Sequence, residues 1–206
     1  MSTESETKHV HVACADPSAI GLFGLAMVTL VASSQKLGWT TGYAYVIPWA
    51  LFLGAFAQLF AAINDAKHAN HFGSTAFGAY AFFWMGVAAT WLIKLGFFGE
   101  ALMNDIDGHQ LAFAYVGYLI FTLFMTIGAM ETNKVLFIIF FLIDLLFLGL
   151  SLSTFGIAEE FTHELAAYAE LLIALFSFYG AGANVLNNHF GYTFLPIGKP
   201  FRIFKK

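Results

Sequence analysis

Two carboxylic acids stand in apolar surroundings where an ionised group is costly. Asp144 lies in Phe140-Phe141-Leu142-Ile143-Asp144-Leu145-Leu146-Phe147, and Glu170 falls early in the run Leu165–Leu186. An acid inside a bilayer must face protein or water and find a partner, so both are candidates to relay protons. For Asp144 a second reading stays open, a hydrogen-bonded acid that packs its helix against a neighbour. Gln58, in Gly54-Ala55-Phe56-Ala57-Gln58, has small residues one turn away on its face. Its amide can bond across helices or donate to a passing carboxylate. Tyr80 shares an i, i+3, i+7 stripe with Phe77 and Trp84. A phenol near mid-membrane needs a polar partner or a wet pore. Thr75 lies five residues before Tyr80, about 140° around the helix and off that stripe.

The elements that must hold these residues are six apolar runs, roughly Ser18–Gln35, Leu37–Asn64, Phe72–Ile93, Leu111–Met130, Val135–Gly156 and Leu165–Leu186. Each approaches the ~20 residues a helix needs to cross a ~30 Å hydrocarbon core. Of 206 residues, 59% are hydrophobic and 11% charged, and the mean hydropathy is +0.74. A soluble domain carries roughly 25% charge and could not hide this much apolar surface in one core. The sequence therefore predicts an all-α integral membrane protein, a single bundle of six transmembrane helices lying in the bilayer. It divides into a tail over residues 1–17, the bundle over 18–190 and a basic tail over 191–206.

Loop charge orients the bundle. The N-terminal tail, the loops after the second and fourth runs, and the C-terminal tail hold Lys8, Lys67, Lys134, Lys199, Arg202, Lys205 and Lys206, seven of the nine cations. The opposite face has only Lys36 and Lys94, beside Glu100, Asp105, Asp107, Glu159, Glu160 and Glu164. By the positive-inside rule both termini are expected in the cytoplasm, an N-in/C-in arrangement. The polar, acidic N-terminus lacks a basic segment feeding an apolar one, so the first run is expected to stay as a helix rather than be cleaved.

Asp16-Pro17 reads as a helix start, a capping acid followed by proline. Pro196 and Pro200 are expected to end the ordered chain. Asn70-His71-Phe72-Gly73 recurs as Asn188-His189-Phe190-Gly191, an echo best explained by similar chemistry at helix ends. Cys14 is the one cysteine, so no internal disulfide can form. His9, His11, His68, His71, His109, His163 and His189 all fall in tails or loops. They complete no metal set with carboxylates. No phosphate loop, nucleophile elbow or Ser/His/acid set is present. No metal, cofactor, nucleic-acid partner or enzymatic activity is expected.

At Asp16–Leu22 (DPSAIGL), Gly54–Gln58 and Asn70–Trp84 (NHFGSTAFGAYAFFW) the chain resembles the acetate uptake transporter family, which includes the succinate–acetate permeases. The likeness runs over all six helices to Val185-Leu186-Asn187 and Leu195-Pro196-Ile197-Gly198. It implies a hexamer of six-helix protomers in a bacterial or archaeal plasma or inner membrane, each with its own monocarboxylate pathway. The family's Asn-Pro-Ala-Pro-Leu-Gly-Leu signature is kept at Pro17, Gly21 and Leu22 and lost at Asp16, Ser18, Ala19 and Ile20. An acid at a helix N-terminus competes with an anion for the same amides.

By the same resemblance Leu25, Tyr80 and Ile143 form a narrow mid-pore constriction, with Leu22, Gln58, Asn70, Thr75 and Tyr80 as substrate contacts. An apolar ring with one phenol would shed water from a small carboxylate and pass its methyl group. Asp144 follows Ile143, and adjacent helical residues point about 100° apart, so Asp144 is expected to face a helix or subunit. The implied function is a channel or proton-coupled transporter for acetate and related small monocarboxylates. The alternative is a membrane sensor or scaffold that keeps the fold without transport.

Overall fold

The computed structural model describes residues 15–204. Lys8, His9, His11, Cys14, Lys205 and Lys206 lie outside the described residues. Six helices of 19 to 32 residues are long and apolar enough to span a bilayer. They are α1 (Ser18–Lys36), α2 (Val46–Lys67), α3 (His71–Lys94), α4 (Gly108–Ala129), α5 (Lys134–Thr154) and α6 (Glu159–Phe190). A one-turn helix, Glu100–Asn104, interrupts the loop between α3 and α4. No strand occurs among the described residues. Phe52, Phe60, Phe113 and Phe124 are between 59% and 71% exposed, an outer surface suited to lipid or to other protomers.

Local chemistry starts three of these helices. Asn70 caps α3 by accepting from Gly73 N at 3.1 Å, and Asn133 caps α5 by accepting from Leu136 N at 2.9 Å. Asp107 does the same for α4 through His109 N at 2.9 Å. Asp16 accepts from Ser18 N at 2.9 Å, so the acid is committed to the start of α1.

Each helix packs on its sequence neighbours, and α6 returns to α1, which closes a ring. The seam between α5 and α6 is made by Gly149, whose missing side chain leaves room for the Thr162 and Ala166 backbone. At the α3–α4 seam the backbones stand apart and aromatic rings fill the gap. Phe83 meets Tyr118 with centroids 4.9 Å apart, and Tyr118 Oη donates to Ala79 O at 3.1 Å.

Besides the start of α6 at Glu159 rather than Leu165, three features depart from the sequence reading. The second helix begins at Val46 rather than Leu37, because Gly38 and Gly42 adopt φ of 72° and 76° and carry the chain through a loop. Its centre, Ala50–Ala57, is π-helical. There Gly24 of α1 packs against the Leu53 carbonyl, and Gly54 sits under the Trp84 indole. At the end of this segment Gln58 Nε2 donates to the Gly54 carbonyl and the Gln58 backbone N–H to Ala55 O.

The third departure is the C-terminus, which stays ordered past Pro196 and docks on the bundle. Ile197 O accepts from Val135 N at 3.1 Å, and Phe201 N donates to Met130 O at 2.9 Å. Asn187 is the clasp. Its Oδ1 accepts from Phe194 N and Leu195 N at 2.8 and 2.9 Å, and its Nδ2 donates to Leu195 O at 2.9 Å. Asn187→Ala should free this strap at roughly 1–3 kcal/mol of local stability, since two backbone donors lose their acceptor. Limited proteolysis would show faster cleavage after residue 191, with the helices intact.

Candidate functional site

Two cavities enter the ring from opposite ends. One, of about 300 Å³, opens on the side of the chain termini, and Asp16, Asn70, Asn133 and Ile197 belong to its wall. The other, of about 600 Å³, opens on the opposite, loop side, among Lys36, Lys94, Asp107 and Glu170. The helices change over from one cavity to the other at a common level. On α3, Tyr80 lines the first cavity and Phe83 and Trp84 the second. On α5, Ile143 lines the first and Leu150 the second.

Phe147 stands between them on α5. It lies one turn beyond Ile143 on the same face of α5, lines neither cavity and is 1% exposed. Its ring centroid is 6.5 Å from that of Tyr80 and 5.0 Å from that of Phe83. Tyr118 covers it from α4 at 5.5 Å. On the α3–α5 side the barrier is thus an aromatic contact, while on α1 and α6 it is made by the buried Val28, Thr29, Ile173 and Ala174, which line neither cavity. The i+4 spacing from Ile143 was the available signal for Phe147, but in the apolar run Val135–Gly156 every position is a plausible barrier residue.

The structure brings together the three residues expected at the constriction. Leu25, Tyr80 and Ile143 all line the termini-side cavity and are 6%, 4% and 3% exposed. Leu22, Gln58 and Asn70 share that wall. Thr75 does not. It is exposed and lines neither cavity, because its offset from Tyr80 turns it to the outside of α3.

The polar atoms of this wall are largely spoken for. Asn70 Nδ2 donates to Asp65 Oδ1 at 3.0 Å. Tyr80 Oη lies 3.0 Å from Thr122 Oγ1, which donates its own proton to Tyr118 O at 2.7 Å. Tyr80 is therefore the donor, which leaves the lone pairs of its oxygen as acceptors. Gln58, fully buried, donates through Nε2 to Gly54 O at 2.8 Å within its own helix, rather than across helices. Among the described residues, two buried oxygens on this wall have no partner, Gln58 Oε1 and Asp65 Oδ2. Both accept hydrogen bonds when Asp65 is ionised.

The two intramembrane acids separate in role. Asp144 lines neither cavity, and its Oδ2 accepts from Thr126 Oγ1 of α4 at 2.7 Å. Glu170 lines the loop-side cavity and pairs with Lys36 Nζ of α1 at 2.8 Å. Lys36 and Asp65 carry no motif, and a sequence pattern holds no hint that Lys36 and Glu170 meet.

Comparison with known proteins places this geometry. The succinate-acetate/proton symporter SatP of Escherichia coli (strain K12) is 33% identical over 187 residues, covering 90% of this chain and 96% of the relative. Acetate permease A of Emericella nidulans is 26% identical over 196 residues, which are 89% of this chain and 65% of that protein. A solved structure described as the bacterial acetate channel SatP superposes with a TM-score of 0.83 at 30% identity, covering 90% of this chain and all of that one. The profile of the GPR1/FUN34/yaaH family matches residues 2–199, and this chain is a member of that family.

Proposed function

We propose that this protein carries acetate and related small monocarboxylates across a cell membrane, through the axis of its own six-helix ring. The observation that carries the reading is the pair of opposed cavities separated by a buried layer in which Tyr80 and Phe147 stack. Relatives described as an acetate permease, a succinate-acetate/proton symporter and an acetate channel support the cargo. A two-carbon acid suits a crossing built from rings, because it sheds little water and its methyl group packs against apolar walls.

Proton coupling follows from the acceptors. Gln58 Oε1 and the Tyr80 oxygen can take a hydrogen bond from an acid O–H, while a carboxylate would meet oxygen lone pairs there. The species favoured at the barrier is the neutral acid. Asp144 plays no relay part in this scheme, since it is bonded to α4 away from both cavities. The cytoplasmic side is assigned to the termini by the loop charges, the membrane to a bacterial or archaeal plasma or inner membrane, and the assembly to a hexamer; each assignment rests on loop charge or family likeness.

Radiolabelled acetate flux into proteoliposomes, with pH gradient and voltage set independently, is the test. Uptake should follow an inward proton gradient and respond weakly to voltage. Flux driven by voltage alone would make the protein an anion channel. Absence of flux under every gradient would return it to a sensor or scaffold of the same fold.

A further inference from the structure

Lys36 and Glu170 form a Lys–carboxylate ion pair, the only Lys/Arg–Asp/Glu pair within 4 Å among the described residues, and it lies in the wall of the loop-side cavity rather than on the outer surface. Glu170 is 1% exposed, and the Lys36 side chain 14%. They come from α1 and α6, 134 positions apart in sequence. Asp105 and Asp107 of the α3–α4 loop line the same cavity as this pair. His163, from the first turns of α6, holds its Nε2 3.1 Å from Lys36 O. Tyr115 of α4 and Tyr43 of the α1–α2 loop face the same cavity, as does Lys94 of α3.

An ammonium with a buried carboxylate beside it is already occupied by the chemical group that the cargo carries. A second carboxylate arriving at Lys36 would leave two anions on one cation in a partly desolvated site, an arrangement that costs several kcal/mol. One proton on Glu170 removes the conflict. The site then holds one cation, one anion and one neutral acid, the same net charge as before. Lysine has three donors on a compact head, so it can hold an incoming carboxylate while keeping a bond to the neutral Glu170 carbonyl.

Building on the acetate reading above, we propose that Lys36 is the carboxylate-binding residue of the loop-side cavity and that Glu170 admits the carboxylate there only together with a proton. The steps balance. One proton passes from water to the Glu170 carboxylate as one acetate binds Lys36 Nζ. When Lys36 and Glu170 re-pair, the proton leaves on the acetate, which moves toward Tyr80 as acetic acid. Nothing else is consumed.

Acetate half-saturation measured in proteoliposomes between pH 5.5 and 7.5 tests this. The wild type should weaken toward tenfold per pH unit on the alkaline side, the slope of one linked proton. Glu170→Gln should flatten that slope and bind acetate more tightly than wild type at pH 7.5. Lys36→Gln should raise half-saturation about tenfold, and Lys36→Arg should recover most of it. A Glu170→Gln protein that keeps the wild-type slope overturns the proposal, as does Lys36→Gln with unchanged half-saturation. A tie between α1 and α6 without a binding role would move melting temperature in these variants and leave the pH slope alone.

The unaltered protein supplies a second measurement, should a variant fail to fold. Dicyclohexylcarbodiimide modifies protonated carboxyls in membranes, and mass spectrometry locates the adduct. Acetate at constant pH should increase modification of Glu170 and leave Asp144 unchanged; no increase at Glu170 overturns the proposal. Loss of wild-type flux would sink the transport reading itself, whereas normal flux with a flat response at Glu170 sinks only this inference.

Discussion

Phe147→Ala is expected to merge the two cavities into a continuous passage. The Phe147 ring is the layer between Tyr80 and Phe83, and α5 offers no other side chain at that level on the same face. Removing six ring carbons also removes contacts to Tyr115 and Tyr118 on α4. In a dry core such a deletion costs about 3–5 kcal/mol, part of it from the void left behind. Here water from both cavities can fill that void, so the cost in stability falls toward the lower end and the cost in function rises. Passive acetate and chloride flux should increase several-fold, and accumulation driven by a pH gradient should collapse through leak. Phe147→Leu, which keeps apolar bulk, should lie close to wild type. A folded Phe147→Ala protein with wild-type flux would place the barrier elsewhere.

Gly149→Val is expected to damage folding severely. A Cβ at Gly149 would approach Thr162 O to 2.6 Å and Ala166 N to 2.9 Å, both backbone atoms of α6. Side chains can rotate away from an intruder, but a helix backbone has to translate as a whole. Overpacking costs about 1–3 kcal/mol where side chains give, and this seam should sit at or beyond the upper value. With roughly 2–4 °C per kcal/mol for a chain of this size, melting in detergent should fall by roughly 6–12 °C, or monodisperse protein should be lost. Gly86→Val is the control, because a Cβ on Gly86 meets nothing within 4 Å. Equal losses at both positions would mean that helix propensity, and not the α5–α6 contact, decides the outcome.

The helices were legible because the bilayer imposes one rule on every spanning segment. A run of about 20 apolar residues with internally bonded backbone is the available solution, and the observed ends fall within a few residues of the apolar limits, except at Val46 and at the start of α6. α6 extends to Glu159, two turns of polar helix that hydropathy could not claim. Its first-turn acids, Glu159 and Glu160, suit the positive end of the helix dipole. The echo of Asn-His-Phe-Gly shows how little a short string says without context. Its first copy opens α3 through the Asn70 cap, and its second closes α6, with Gly191 at φ 72°. One string serves opposite helix ends.

The candidate site was legible in part. Tyr80 announced its need for a polar partner, and the structure supplies Thr122. The direction of that bond was not legible. It depends on Thr122 giving its single proton to Tyr118 O, and it changes the phenol from a donor into an acceptor for anything crossing. Thr75 failed for a geometric reason already present in the helical angle. Asp144 and Glu170 looked alike as acids in apolar runs, yet one faces a threonine on the next helix and the other a lysine in a cavity.

Sequence alone determined the membrane environment, the six spans, the start of the first helix at Asp16-Pro17 and the family, because each rests on composition, local chemistry or a continuous motif. Tertiary structure alone decided the closed ring, the π-helical centre of α2, the docked C-terminus, the place of Phe147 between the cavities and the meeting of Lys36 with Glu170. Those depend on the rotation of each helix about its axis and on contacts between residues far apart in sequence, up to the 134-residue separation of that pair. In a bilayer, lipid tails are as apolar as leucine, so hydrophobicity says that a helix spans but not which face turns inward. Close packing at glycines and the pairing of buried polar groups settle that orientation, and neither is written in a one-dimensional pattern.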